Sequence, residues 1–126
     1  MTIKKKELSK TEWKIMNICW ALGKCSVRNI YDALQKKDKN RSYQALNTML
    51  ERLAAKNVLK REKFGPIWLY EPAGKKQSMV NNAIDDFIEV VLDQRLMPLF
   101  TYFSKTEKIG REEIYYLKKI IKEHDE

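Results

Sequence analysis

The order of local patterns in the first 72 residues constrains this fold most. Three helical segments come first, and each follows a serine that can accept hydrogen bonds from free helical N–H groups: Ser9, Ser26 and Ser42. Two short strands, 58–64 and 67–71, then follow around Gly65-Pro66. This order predicts a mainly α protein with a small β-hairpin, a winged helix-turn-helix whose hairpin is the wing.

The first helix has a capping box, Ser9-Lys10-Thr11-Glu12, and Gly23 is expected to stop it. Apolar residues occupy most of its circumference, so we expect a largely buried helix. Cys19 is then a small core residue rather than a reactive thiol or a metal ligand. Asn57 is expected to adopt the left-handed conformation after the third helix.

The 126-residue chain carries a net charge of +8, and that charge is unevenly distributed. Residues 1–76 hold 18 Lys or Arg and 7 Asp or Glu, whereas residues 77–126 hold 7 and 10. A basic first part indicates a polyanionic partner, which charge alone leaves open between nucleic acid and an anionic membrane surface. The alternative interpretation is a solvated lysine-rich surface.

Few residues suit catalysis or metal binding. The chain has one histidine, His124, and its two cysteines have a Cys-x5-Cys spacing that matches no common zinc site. No Gly-rich phosphate loop and no membrane-spanning apolar stretch occurs, and no apolar segment of a signal peptide follows the basic start. We therefore expect a cytoplasmic protein that is not an enzyme and has no cofactor, metal or membrane insertion.

The third helix is expected to bury a leucine-rich stripe and to leave a polar face open, where residues of a recognition helix reach base edges. The predicted base-reading residues are Tyr43, Gln44, Asn47 and Thr48. The predicted phosphate contacts are Arg28, Asn29, Arg41, Ser42, Arg61 and Lys63. The alternative is that these polar side chains are merely solvated.

Residues 74–126 are expected to form a helical dimerisation region after a DNA-binding domain at 1–73. An apolar stripe runs at helical spacing until Pro98 breaks it, and Gly110 opens a last helix. About 50 residues are too few for a separate core, so a second chain or the first domain must cover the stripe. We favour a homodimer, with an interface formed by Val80, Ile84, Phe87, Val91, Leu99, Phe103, Ile114, Leu117 and Ile121.

Other functions remain open for a winged helix, because fold does not determine function. The third helix could dock on an acidic protein without sequence-specific DNA binding, although its polar face lacks the apolar anchors usual in such interfaces. RNA binding has less support, because no aromatic platform on a sheet is evident. The three tryptophans are expected to be packing residues.

The chain also resembles the penicillinase repressor (BlaI/MecI/CopY-type) family of bacterial regulators. The resemblance is carried by Leu8-Ser9, Glu12-Trp13, Ile15-Met16, Trp20, Ser42, Leu46, Thr48, Leu50, Arg52-Leu53, Lys56, Lys63, Gly65, Trp68, Tyr70 and Pro72, and in the tail by Phe87, Leu99, Phe103, Ile109, Glu113-Ile114 and Leu117. It implies a winged-helix homodimer that binds a palindromic DNA operator and represses a resistance- or stress-type operon.

The resemblance also implies a mode of regulation. In the antibiotic-responsive members, a membrane sensor-protease system ends repression through cleavage of an Asn-Phe bond. The matching bond is Tyr102-Phe103, where Tyr replaces Asn. The Cys-x-Cys motif of the copper-responsive members is absent, and Ala45 and Pro66 replace the usual Thr and Arg.

Overall fold

The computed structural model describes residues 7–105 and 110–124, and its contacts divide the chain into two compact units, Met1–Ala83 and Ile84–Glu126. The elements of the first unit are α1 (Lys10–Leu22), β1 (Cys25–Ser26), α2 (Val27–Lys37), α3 (Tyr43–Ala55), β2 (Leu59–Phe64) and β3 (Ile67–Pro72). Helix α4 (Lys76–Asp86) begins in this unit and ends in the second. The remaining elements are a π-helical turn (Phe87–Val91), α5 (Met97–Lys105) and α6 (Arg111–His124).

The predicted helix boundaries of the first unit are confirmed by their caps. The Ser9 hydroxyl accepts from the Glu12 N–H at 3.2 Å, and the Glu12 carboxylate accepts from the Ser9 N–H at 2.9 Å. Gly23 follows α1 with a φ of 76°, and Asn57 follows α3 with a φ of 64°. Both residues therefore have the positive φ that is common where a helix ends, and Gly23, with a ψ of −136°, adopts a conformation that glycine tolerates.

The sheet has three strands, in the order β1-β3-β2, rather than the hairpin alone that the sequence predicts. Cys25 and Ser26 pair antiparallel with Tyr70 and Leu69. Strand β1 has only two residues, too few to show the alternation of apolar and polar residues that predicts a strand. One of them, Ser26, also caps α2, so the local sequence indicates a helix start instead.

The core of the first unit lies between its three helices and the base of the sheet. Its fully buried members include Ile15, Ile30, Leu50 and Tyr70, and Cys19 is buried among them, as predicted. The last turn of α1 is less buried than predicted, because Leu22 is 48% exposed.

The first unit includes residues after the hairpin, because these residues contact its helices and core. The Trp20 indole N–H donates to the Gly74 carbonyl at 3.2 Å, and Met79 packs against the core. These contacts explain why the first unit extends to Ala83. The functional boundary after residue 73 stays a prediction.

The second unit corrects the predicted role of Pro98. The helical segment ends at Val91, and Asp93 and Gln94 follow with positive φ values of 51° and 64°. Pro98 lies in the first turn of α5, where its missing N–H costs no helical hydrogen bond. Within the described ranges, none of the helices is long and apolar enough to cross a membrane.

Candidate nucleic-acid interface

Helix α3 buries one side and exposes the other, as its sequence predicts. Leu46, Leu50 and Leu53 are at most 1% exposed. Because side chains three and four residues apart share a helical face, the burial of this leucine stripe turns the intervening positions outward. Three of the four predicted base-reading residues are exposed and the fourth is half-buried; the exposed ones are Tyr43, Gln44 and Thr48.

Two of these side chains form hydrogen bonds within the helix. The Thr48 hydroxyl donates to the Gln44 carbonyl at 3.1 Å, which orients the Thr48 side chain along the helix. The Asn47 amide donates to the Glu51 carboxylate at 3.4 Å. This bond is long and uses one of the two N–H groups of the amide, so the Asn47 side chain can turn toward a base edge at small cost.

An aromatic contact connects the exposed side of α3 to α2. The rings of Tyr31 and Tyr43 meet edge to face, with centroids 5.3 Å apart. The Arg28 guanidinium carbon lies 5.7 Å from the centre of the Tyr31 ring, and Arg28 also pairs with Asp32 at 3.3 Å. A predicted phosphate contact and a predicted base reader thus belong to one row of side chains.

Two other predicted phosphate contacts are capping residues. The Ser42 hydroxyl accepts from the Ala45 N–H at 3.0 Å at the start of α3. At the start of α2, the side-chain amide oxygen Oδ1 of Asn29 accepts from the Ser26 N–H at 3.1 Å. Both therefore lie where helical N–H groups and the helix dipole favour an anion.

Arg41, also predicted to contact phosphate, forms two polar contacts within the protein. Its Nε donates to Asp38 at 3.0 Å and its Nη2 to the Thr11 hydroxyl at 2.9 Å. The hydrogen bond from Arg41 is the main reason that the pKa of Asp38 lies below its ordinary value of 3.8. The predicted phosphate contact of Arg41 therefore has to coexist with, or replace, these contacts.

The wing exposes the two remaining cations, Arg61 and Lys63. The guanidinium carbon of Arg61 lies 4.4 Å from the centre of the Trp68 ring, and Lys63 Nζ lies 5.8 Å from it. The sequence predicts Trp68 only as a packing residue and does not predict its contacts with these two cations. The signal was present, because a two-residue turn at Gly65-Pro66 pairs Lys63 with Trp68.

The predicted dimer residues leave much apolar surface open. Ile84, Phe87 and Val91 are exposed, and the partly buried ones are Val80, Leu99, Phe103 and Leu117. The side chains of Ile114 and Ile121 lie outside the described residues. The π-helical turn also changes the α-helical spacing on which the predicted stripe rests, and Val90 beside Val91 is 76% exposed.

The second unit also contains the bond that matches the family's cleavage site. Tyr102 and Phe103 lie within α5, and their ring centroids are 5.7 Å apart. Among the residues that the structure describes, no group of three or more His, Cys, Asp or Glu side chains could hold a metal ion.

Comparisons with known proteins agree with this arrangement. The family model described as penicillinase repressor matches residues 8–123. The penicillinase repressor of Staphylococcus aureus is 29% identical over 121 residues, which cover 96% of this chain and 95% of that protein. The methicillin resistance regulatory protein MecI of Staphylococcus aureus strain N315 is 28% identical over 115 residues, covering 91% and 93%.

A solved structure of a DNA-binding domain is also similar to this chain. The solution structure of the DNA-binding domain of the repressor BlaI aligns with a TM-score of 0.53 and 25% identity, over 60% of this chain and 90% of that chain. The chain therefore belongs to the penicillinase repressor family, whose members are DNA-binding transcriptional repressors and not enzymes.

Proposed function

We propose that this protein binds a palindromic DNA operator as a homodimer and represses a resistance- or stress-type operon. One observation carries the proposal, namely the open polar face of α3. A helix whose leucine stripe is fully buried presents Tyr43, Gln44 and Thr48 to solvent at the position of a recognition helix. Glutamine can bond bidentately to adenine, and the threonine methyl can pack against thymine.

The surrounding charges support binding to a duplex backbone. Arg28, Arg61 and Lys63 are exposed, and the helix dipoles of α2 and α3 favour an anion at their N-termini. Contacts of this kind supply affinity without reading sequence. The protein-docking alternative has weaker support, because the only aromatic side chain among the four base-reading candidates is Tyr43.

The homodimer is part of the proposal because of the apolar surface of the second unit. Its exposed apolar side chains include Ile84, Phe87, Val90, Val91, Leu96 and Met97. Exposed apolar side chains in such number indicate an interaction surface. A second copy of the chain would cover this surface and bring two α3 helices to the two halves of a palindrome.

For regulation, we infer that a sensor-protease system that requires Asn before Phe does not inactivate this chain by the same cut. Tyr102 replaces the Asn, and the bond lies within helix α5, which a protease must unwind. Mass spectrometry of the protein during derepression tests the inference. The intact chain is the expected species, and a fragment that ends at Tyr102 contradicts the inference.

The experiment that tests the proposed function is selection from a random duplex library at two salt concentrations. A palindromic motif that survives at the higher salt supports a dimeric, sequence-specific repressor. Binding that enriches no motif and disappears as salt rises indicates only the phosphate contribution and contradicts the proposal.

A further inference from the structure

One side of the β2–β3 hairpin is buried in the core at its base and exposed to solvent toward its turn. Residues alternate between the two sides of a strand, so Leu59, Arg61 and Lys63 of β2 share one side. The register places Tyr70 opposite Arg61 and Trp68 opposite Lys63 on the same side. Leu59 is buried at the base of this face with Tyr70, whereas the two cations and the indole stand beyond the core.

Trp68 is the common neighbour of both cations. The guanidinium carbon of Arg61 is 4.4 Å from the centre of its ring, and the Lys63 ammonium is 5.8 Å from it. Both distances lie within the range of cation–π attraction, about 6 Å. Long cationic side chains lose much rotamer freedom when they bind a phosphate, and a contact that restricts them beforehand reduces that loss.

An exposed tryptophan on a basic wing could instead stack on an unpaired base. Trp68 is 39% exposed, so part of its surface is accessible. The Arg61 guanidinium, however, already covers one face of the indole, with its carbon 4.4 Å from the ring centre. A base that stacks on that face must displace the guanidinium. The geometry therefore favours a role for the indole in ordering the cations.

We propose that Trp68 is a positioning residue, which holds Arg61 and Lys63 over its ring so that both engage phosphates of duplex DNA. The inference rests on the proposed function and deepens it at the wing. Trp68 itself contacts no DNA in this scheme. It raises affinity equally for cognate and unrelated duplexes, because phosphate contacts carry no sequence information.

The test is a double-mutant cycle on the full chain. Affinities of the wild type, Trp68→Leu, the pair Arg61→Ala with Lys63→Ala, and the triple variant are measured by fluorescence anisotropy on the selected duplex and a scrambled one. We expect Trp68→Leu to weaken binding of both duplexes about two- to fivefold, the range of an exposed cation–π contact. In the background without the two cations, the same substitution should have no effect.

Two further variants separate positioning from folding. Trp68→Phe keeps an aromatic ring and should retain most of the affinity. Trp68→Thr, which lacks a ring but suits a strand, replaces the leucine variant in the cycle if that one does not fold. Phe64→Leu removes an exposed aromatic side chain from the other side of the wing and should leave affinity unchanged. Thermal unfolding of each variant checks the fold.

The outcomes are distinguishable. An equal loss with and without the cations means that Trp68 acts independently of them, through the fold of the wing or through direct contact with DNA. An unchanged affinity means that Trp68 does not contribute to binding. Either result overturns the inference while the proposed function stands. If the wild type binds neither duplex, the proposed function is wrong and the inference fails with it.

Discussion

The Nη2 atom of Arg41 donates to the Thr11 hydroxyl at 2.9 Å and thereby joins the residue before the cap of α3 to the first turn of α1. Lys56, immediately after α3, reaches the next residue of α1 and pairs with Glu12 at 3.2 Å. Adjacent residues of α1 thus hold both ends of α3. We infer that these polar contacts help to orient the helix that carries the base-reading candidates.

Thr11→Val removes the hydroxyl that accepts from Arg41 and keeps the volume of the side chain. We expect the free energy of unfolding to fall by about 1 kcal/mol, the typical contribution of one hydrogen bond. Urea denaturation measures the change. Lys39→Ala, an exposed position in the turn between α2 and α3, serves as the control and should change stability little. A Thr11→Val protein as stable as the wild type would show that the bond contributes nothing.

The Glu12 carboxylate should make stability depend on pH. Burial raises its pKa, but hydrogen bonds from the Ser9 N–H and Lys56 outweigh that effect, so the pKa lies below its ordinary value of 4.5. A carboxyl whose pKa is lower in the folded chain stabilises that chain above the unfolded value, and the contribution disappears as pH falls through the folded pKa.

Glu12→Gln should therefore be less stable than the wild type near neutral pH, and the difference should shrink below pH 4.5. Denaturant unfolding of both proteins at about pH 7 and about pH 3 provides the comparison. A difference of the same size at both pH values would contradict a role for the ionised carboxylate.

Tyr43 combines an expected contact with a base and an observed contact with Tyr31. Tyr43→Phe keeps the edge-to-face contact, and we expect its stability to match the wild type. Tyr43→Ala should lose about 0.5–1.5 kcal/mol from the aromatic pair in addition to the buried area. Thermal or urea unfolding distinguishes the two variants. Equal stability of both would mean that the ring contact contributes nothing.

Gln44→Ala should lower affinity for the selected operator by about 1–3 kcal/mol and relax the preference at one base pair of each half-site. Gln77→Ala removes the same side chain from an exposed position on α4 and should leave operator affinity unchanged. Competition between operator variants measures both properties. The assignment of Gln44 as a base reader is wrong if its variant keeps the wild-type preference at every position.

Phe87→Asp places a charge in the proposed apolar interface, where it would lack a partner. Sedimentation should then show a monomer, and operator affinity should fall because the two half-sites are no longer read together. Asn82→Asp adds the same charge at an exposed polar position of α4 and should remain dimeric. If the Phe87→Asp protein remains dimeric, the dimer interface lies on another surface.

Local signals in the sequence were sufficient for most of the secondary structure. A serine hydroxyl caps a helix through an N–H three residues ahead, so Ser9 and Ser42 identify the starts of α1 and α3 without knowledge of the fold. The leucine stripe of α3 likewise depends only on helical spacing, and it determined which face of α3 stays open.

Contacts between residues distant in the chain were decided by the tertiary structure. Cys25 becomes part of a strand only because the fold brings Tyr70 beside it, and Arg41 finds Thr11 only because α1 packs across the helix-turn-helix. The sequence by itself determined the first three helices, the hairpin and the polar face of α3, since these depend on neighbours within a few residues. The tertiary structure decided which cations are held by partners, because hydrogen bonds and cation–π contacts require atoms placed within a few ångströms by packing.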